Sequence, residues 1–171
     1  MPLRSRGKRV AFMGVSTTLA LILSYAESLI PAFFGVPGMK PGLPNLAVVV
    51  LLGLGDPVGA LAVNVLRILL SGFLFGSLYG ILFSIAGAAV SYVVMLLLMK
   101  SGRFGIPGVS IGGGVAHNLG QLVVAAFVVR TSGIWYYAPV LVAAGAVTGF
   151  VIGVTAGAAL PAIRAFVLTE S

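Results

Sequence analysis

GSLYGILFSIAGAAVSYVVMLLLM, residues 76–99, is the stretch that decides the fold class of this chain. It contains no charged residue, and at about 1.5 Å rise per residue a helix of this length exceeds the roughly 30 Å of hydrocarbon in a bilayer. Five more apolar segments accompany it, at residues 10–30, 43–54, 57–75, 109–129 and 136–160. The sequence therefore predicts an all-α, polytopic membrane protein with a bundle of six transmembrane helices.

The composition agrees with a membrane environment. Of the 171 residues, 60% are hydrophobic and 8% are charged, whereas soluble domains carry roughly 25% charged residues. Six spans with short loops use the whole length, so we expect a single transmembrane domain over residues 1–171. The basic N-terminus resembles the start of a signal peptide, but the apolar run after it is long and no Ala-x-Ala-like site follows, which predicts a retained helix.

Several classes of function are excluded. The net charge of +7 does not indicate a nucleic-acid partner, because the cations lie at span ends and are not gathered on one solvated face. The absence of cysteine removes disulfides and thiolate metal sites. His117 and Glu27 are too few ligands for zinc, and neither a P-loop nor a Gly-x-Ser-x-Gly elbow occurs. We expect no enzyme, no metal and no cofactor.

The distribution of cations predicts the orientation. Lys and Arg in short loops stay on the cytoplasmic side of a membrane. One side of the predicted bundle carries seven of them, and the other carries two, Lys40 and Arg130. The seven are Arg4, Arg6, Lys8, Arg9, Lys100, Arg103 and Arg164. This pattern predicts a multi-pass protein of the cell membrane, with both termini in the cytoplasm and the loop at residues 31–42 outside.

The second apolar segment is unusual because it is short. Residues 43–54 cannot cross the hydrocarbon unaided, so the segment must be tilted, extended by the preceding loop or buried in protein. That loop contains Pro37, Pro41 and Pro44 with three glycines, which exclude regular helix. Short segments interrupted by Gly and Pro often line binding cavities in transporters. The next helix is predicted to begin at Pro57, with Asp56 as its N-cap.

Few polar side chains lie inside the predicted spans, and each requires a partner or a purpose because an ionisable group there costs roughly 2.5–3.5 kcal/mol. Asn64 and Arg67 share a helix face at i, i+3, and His117 and Gln121 share one at i, i+4. The set predicts a polar cavity, roofed by the proline-rich loop, that contacts a ligand. Its members are Glu27, Asn45, Asn64, Arg67, His117, Asn118 and Gln121.

A structural interpretation of the same residues stays open. Arg67 can instead pair with Glu27, while the amides satisfy backbone groups between helices. Asn118 lies beside the face that His117 and Gln121 share, and packing is an alternative role for it.

Glycines predict how the helices pack. Gly145, Gly149, Gly153 and Gly157 recur every four residues along the sixth segment, and Gly76 and Gly80 share this spacing at the start of the fourth. Small residues at this spacing let helix backbones approach closely in a membrane. We expect packing within the chain rather than a docking face for another subunit.

Four stretches resemble one known family. They are ESLIP at residues 27–31, VPGMKPGLPN at 36–45, NVLR at 64–67 and AHNLGQ at 116–121. Together they resemble the Gx transporter family, whose members also carry the name heptaprenyl diphosphate synthase component I. The likeness covers nearly the whole chain and is most specific in AHNLGQ. Pro41 and Pro44 stand where other residues are expected, which stiffens the loop.

This family is in turn similar to the substrate-binding S components of energy-coupling factor (ECF) transporters. The resemblance implies six helices, a ligand site near the outer face covered by the first outer loop, and partners in the form of a membrane scaffold and paired ATPases. Small residues on the first helix, here Ala11, Gly14 and Thr18, are then expected at the docking face. The family's enzyme name implies prenyl diphosphate chemistry, which uses clustered aspartates, but Asp56 is the one aspartate of this chain.

Three hypotheses follow. The first is a substrate-binding membrane subunit, surrounded by membrane lipid, that captures a small amphiphilic or anionic organic molecule, such as a vitamin, cofactor or precursor, from outside. The second is a non-catalytic accessory subunit linked to isoprenoid or quinone biosynthesis, in which the polar cluster is purely structural. The third, a proton-coupled carrier using Glu27 and His117, is the weakest because few titratable groups lie in the spans.

Overall fold

The computed structural model describes residues 6–30, 40–130 and 132–169. Every regular element within these ranges is helical, which confirms the predicted all-α class. The helices are α1 (Arg6–Ser28), α2 (Asn45–Gly53), α3 (Pro57–Leu74), α4 (Leu78–Ser101), α5 (Ile106–Val129), a short 3-10 helix (Ser132–Tyr137) and α6 (Ala138–Thr169). Most of the predicted outer loop, residues 31–39, lies outside the described ranges.

Five of the helices, α1 and α3 to α6, are long and apolar enough to cross a membrane. The chain is therefore a multi-pass membrane protein. Helix α2 has nine residues, about 14 Å at 1.5 Å per residue, and does not span a bilayer by length. The count of six crossings and the cytoplasmic termini stay predictions.

Helix α2 lies at the centre of the bundle. It contacts each of the other five α-helices, and six of its nine residues are buried. Val48, Val49 and Leu51 have no exposed surface at all. Of the three arrangements predicted for this short segment, burial in protein is confirmed.

The turn between α2 and α3 is fixed at the end of the bundle where α1 begins. Asp56 caps α3 by accepting a hydrogen bond from the backbone N–H of Gly59 at 2.9 Å, as predicted. Arg9 forms a salt bridge with the same carboxylate at 3.1 Å. Nearby, Arg164 of α6 donates to the carbonyl of Gly53 at 2.6 Å. The chain thus returns to this end through α2 although α2 is short.

Glycines of α6 pack directly on the backbone of α5, as the spacing predicts. A Cβ atom added at Gly145 would lie 2.6 Å from the carbonyl oxygen of Gly114, and one at Gly149 would lie 2.5 Å from that of Ser110. Gly157, by contrast, has no described atom within 4 Å. The packing role is therefore confirmed for Gly145 and Gly149 and does not extend to Gly157.

The structure modifies two expectations about α4 and α6. Gly76 precedes α4, and a Cβ there would lie 2.9 Å from Gly72 Cα of α3, whereas a Cβ at Gly80 would approach only Ser77 Oγ, at 3.4 Å. The backbone is therefore closely packed at Gly76 and not at Gly80. Helix α6 continues to Thr169 instead of ending at residue 160 before Pro161. A proline inside a membrane helix is tolerated where neighbouring groups satisfy the freed backbone.

Candidate ligand-binding site

The site is built around the chain segment that enters the bundle just before α2. Gly42 there has φ +88°, a left-handed conformation that glycine adopts without steric cost. Glu27, in the last turn of α1, accepts hydrogen bonds through one carboxylate oxygen from the backbone N–H groups of Gly42 and of Leu43, the second at 3.0 Å. Glu27 is 3% exposed, so its carboxylate holds this segment from inside the protein.

A second series of hydrogen bonds joins the same segment to α5. The backbone N–H of Lys40 donates to Gln121 Oε1 at 3.2 Å. Because that contact makes the Gln121 oxygen the acceptor, the amide nitrogen is the donor in its 3.1 Å contact with His117 Nε2. His117 Nε2 therefore accepts, and the ring proton is on Nδ1. The loop segment thereby sets the tautomer of His117 through Gln121.

The imidazole of His117 is enclosed by two glycines. A Cβ atom at Gly87 of α4 would lie 2.9 Å from His117 Nδ1, and one at Gly42 would lie 3.3 Å from its Cδ2. A Cβ at Gly87 leaves no room for the ring in this position, whereas one at Gly42 would require a shift of a few tenths of an ångström. The contacts bring α4, α5 and the loop segment together at one side chain.

Arg67 is the buried cation of the site, at 3% exposure. Its Nε donates to Asn64 Oδ1 at 3.0 Å on the same helix. Its Nη2 is buried without a hydrogen-bond partner in the described part of the chain. The charge acts electrostatically on both Glu27 and His117, but no ion pair with Glu27 is formed among the described residues.

Two further polar atoms near the loop segment are unsatisfied. Asn45 Oδ1 is a buried acceptor with no hydrogen-bond partner within residues 40–130 or the other described ranges, and His117 Nδ1 is a buried donor that faces the backbone of Gly87 without a hydrogen bond of good geometry. Asn45 belongs to the same group because its Nδ2 would lie 3.2 Å from a Cβ at Gly42. Buried polar groups are normally paired, so each unpaired one requires an explanation.

Asn118 differs from the other six predicted site residues. Its Nδ2 donates to the carbonyl of Leu141 in α6 at 2.9 Å, away from the loop segment. That contact favours the packing role considered for it from sequence. The remaining six lie around the segment at residues 40–45. Asn45 lies beside Gly42, and five are connected through hydrogen bonds or electrostatic contact, namely Glu27, Asn64, Arg67, His117 and Gln121.

Sequence reasoning missed the role of two glycines in this cluster, and it interpreted Ser24 as an ordinary packing residue. Gly42 and Gly87 form the two sides of the His117 enclosure, and Ser24, one turn before Glu27 on α1, has a buried Oγ with no partner in the described ranges. The i, i+3 spacing of Ser24 and Glu27 is a signal that sequence carries. The role of the glycines is not readable from sequence, because it depends on which helix lies opposite.

A cavity within the described part of the chain is apolar and lies to one side of the polar cluster. It is a groove of about 200 Å³ between α3 and α4, and of the predicted site residues it is lined by Asn64. The predicted roof, residues 31–39, lies outside the described ranges. The same ranges contain no group of three His, Asp or Glu side chains that could hold a metal ion.

One comparison with known proteins identifies the family. The sequence model for heptaprenyl diphosphate synthase component I matches residues 16–159. The chain belongs to this family. The match runs from α1 to the middle of α6 and includes all seven predicted site residues. No curated protein and no solved structure matches the chain, and the similarity of the family to ECF S components stays a prediction.

Proposed function

We propose that this member of the heptaprenyl diphosphate synthase component I family is the substrate-binding membrane subunit of an uptake transporter for a small organic anion, such as a vitamin, cofactor or precursor. The observation that carries the proposal is Arg67. Its guanidinium is buried and unpaired at Nη2 within the described residues. An unsatisfied buried charge costs more than the roughly 1–3 kcal/mol of a neutral group, and a bound anion removes that cost.

The neighbours of Arg67 supply the rest of a ligand site. Asn45 Oδ1 offers an acceptor without a partner in the described chain, and His117 Nδ1 offers a donor that faces the backbone of Gly87. The polypeptide before α2 is non-helical and lies deep enough to reach His117 and Gln121. Non-helical backbone at membrane depth occurs where it is buried in protein or lines a cavity. Both properties favour a binding site beneath the loop.

The loop segment also provides a route for the ligand. Lys40 and Gly42 are held by Gln121 and Glu27, side chains of two different helices. Opening the site requires these hydrogen bonds to break, and closing over a ligand restores them. With the predicted orientation, the site opens to the outside and both termini lie in the cytoplasm of a prokaryotic cell.

The partners proposed for uptake are an ECF-type scaffold and its ATPases. Ala11, Gly14 and Thr18 are exposed along α1, and Gly14 has no described atom within 4 Å. A helix face of this kind is suited to close packing with another membrane helix. The surrounding lipid is the other partner.

The family name favours a second candidate, a non-catalytic accessory subunit in isoprenoid or quinone biosynthesis, since "component I" implies another component. Asp56, the one aspartate of the chain, caps α3 and bridges Arg9. It is already engaged at the opposite end of α2 from the site. The chain itself therefore lacks the aspartate cluster that prenyl diphosphate synthases use, and we propose no catalytic role.

The two candidates predict different effects of site substitutions. Native mass spectrometry of the gently purified protein is expected to release a defined small molecule, and Arg67→Ala and His117→Ala are expected to lose it while remaining folded. Asn118→Ala is the matched control, because Asn118 is as buried as His117 but is bonded to α6. It is expected to lower stability and retain the ligand.

Other results select other functions. If Arg67→Ala and His117→Ala retain the same bound molecule, the proposed site is wrong. If all three variants lose only stability and release lipid alone, the accessory role is supported. Uptake by the purified protein alone in liposomes, driven by a proton gradient, would instead support the self-contained carrier.

A further inference from the structure

A lateral groove between α3 and α4 adjoins the polar cluster. Its volume is about 200 Å³ and its lining is almost wholly apolar. The floor is buried and consists of Asn64, Ile68 and Ala88, whereas Leu61, Val65 and Ile85 on its rim are 46–48% exposed. In a bilayer the groove therefore opens sideways to lipid and closes inward at Asn64.

Both walls of the groove lead to the polar cluster. On α3, Asn64 lines the groove and accepts the hydrogen bond from Arg67 Nε at 3.0 Å. On α4, Ala88 lines the groove and directly follows Gly87, against which the His117 ring packs. Asn64 therefore contacts both the groove and the buried Arg67 guanidinium, so the two features adjoin each other.

We propose that the ligand of this site is an anionic amphiphile, with a carboxylate or phosphate head at Arg67 and an apolar chain in the groove between α3 and α4. The inference rests on the proposed binding function and adds the class of substrate. A guanidinium matches carboxylate and phosphate oxygens with paired hydrogen bonds. Since the Glu27 oxygen is bonded to the loop backbone and forms no ion pair with Arg67 among the described residues, the cation is not neutralised by direct contact.

The volume of the groove suits the apolar chain of a ligand but not a whole ligand. Sites for complete small molecules usually enclose roughly 300–1,000 Å³, which is more than this groove offers. Its apolar lining provides no polar group to recognise a head, apart from Asn64. The head must therefore lie outside the groove, and Arg67 is the adjoining cation.

Because the protein contains no natural cysteine, a single introduced cysteine can report where the apolar chain of the ligand binds. A fluorophore is attached to an Ala89→Cys variant in nanodiscs, and octyl phosphate and octanoate with a nitroxide at the chain end serve as probes. Ala89 is exposed and lines the groove. The matched control is Ala143→Cys, an exposed position on α6. Leu61→Cys, on the opposite wall, gives a second reporter if the first label obstructs the groove.

We expect saturable quenching at the groove labels by at least one probe, above the linear quenching that bilayer partition produces at the control label. Adding Arg67→Gln is expected to weaken the saturable component at least about tenfold, the equivalent of one charge-assisted hydrogen bond. Partition into the disc is common to all variants and cancels in this comparison. Arg67→Lys, which retains a charge, is the second variant if Arg67→Gln does not fold.

The outcomes separate this inference from the proposed function. Equal, linear quenching at groove and control labels, with calorimetric binding of the probes still dependent on Arg67, would overturn the groove and leave the anion site intact. Absence of saturable binding of either probe at any label would overturn the amphiphile, while the anion site is decided separately by native mass spectrometry of the Arg67→Ala variant. Saturable quenching that does not depend on Arg67 would show that the groove binds a bilayer lipid. It would overturn the proposal that the ligand is an anionic amphiphile.

Discussion

The orientation of the His117 side chain is determined by backbone on several sides of its ring. Its ring lies between Gly87 and Gly42, and its Nε2 contacts Gln121, which is held by the N–H of Lys40. Nothing in the local sequence AHNLGQ requires this orientation. The ring is placed by helices and a loop that are distant in sequence, so the tautomer inferred from the hydrogen bonds is a tertiary property.

Gly87→Ala is the sharpest test of that enclosure. The added Cβ would lie 2.9 Å from both the His117 ring and its carbonyl oxygen, and the backbone cannot give way as a flexible side chain does. We expect a loss of roughly 1–3 kcal/mol in the free energy of unfolding, together with weaker ligand binding. Titration with sodium dodecyl sulfate, followed by circular dichroism, measures the first quantity.

Gly14→Ala is the matched control for this substitution, because no described atom lies within 4 Å of Gly14 in α1. It is expected to leave stability unchanged or raise it, since alanine is the better helix former. Equal stability of the Gly87→Ala variant and the wild type would show that His117 is not confined as described.

At the scale of elements, α2 illustrates why a short helix can be central. Its nine residues include Val48, Val49 and Leu51, which are completely buried, and it is contacted by all five longer helices. The hydrophobic run at residues 43–54 predicts an apolar helix. Its burial in protein rather than lipid is decided by the neighbours that surround it.

The interface between α5 and α6 depends on backbone proximity at glycines. We expect Gly149→Ala to force the helices apart, because its Cβ would lie 2.5 Å from the Ser110 carbonyl and 2.8 Å from Ile111 Cα. The expected cost is roughly 1–3 kcal/mol of stability, measured by the same detergent titration.

Gly157→Ala provides the comparison on the same helix, with no described atom within 4 Å of the added methyl group. It is expected to unfold at the same detergent concentration as the wild type or higher. A larger loss at Gly157 than at Gly149 would contradict the packing of α6 on α5 and indicate a contact of Gly157 with a second chain.

At the scale of the whole molecule, the path through α2 sets the topology. The salt bridge between Arg9 and Asp56 joins the first turns of α1 to the α2–α3 turn. The chain therefore returns to its starting end between α1 and α3, although α2 alone is too short to cross. The segment before α2, bonded to Glu27 and Gln121, supplies the remaining depth.

Cysteine accessibility tests this path. If the chain crosses six times in the predicted orientation, Gly7→Cys and Arg103→Cys lie on the cytoplasmic side. An impermeant maleimide added to intact cells should then label Tyr136→Cys, which is 87% exposed, and label the other two only after lysis. Opposite accessibility of Gly7→Cys and Arg103→Cys would show that α2 does not return the chain.

The sequence by itself determined the membrane class, the helical segments and which polar residues are exceptional, because hydrocarbon requires apolar helices and makes each polar group costly. It also determined the Asp56 cap and the close packing at Gly145 and Gly149 of α6, since both follow from local spacing, but not that Gly157 has no such contact among the described residues. Only the tertiary structure decided that Arg67 is not paired with Glu27, that Asn118 faces α6 and that Gly87 confines His117. Those outcomes depend on which helices lie side by side. The spacing of residues along the sequence does not indicate which residues of distant helices are in contact.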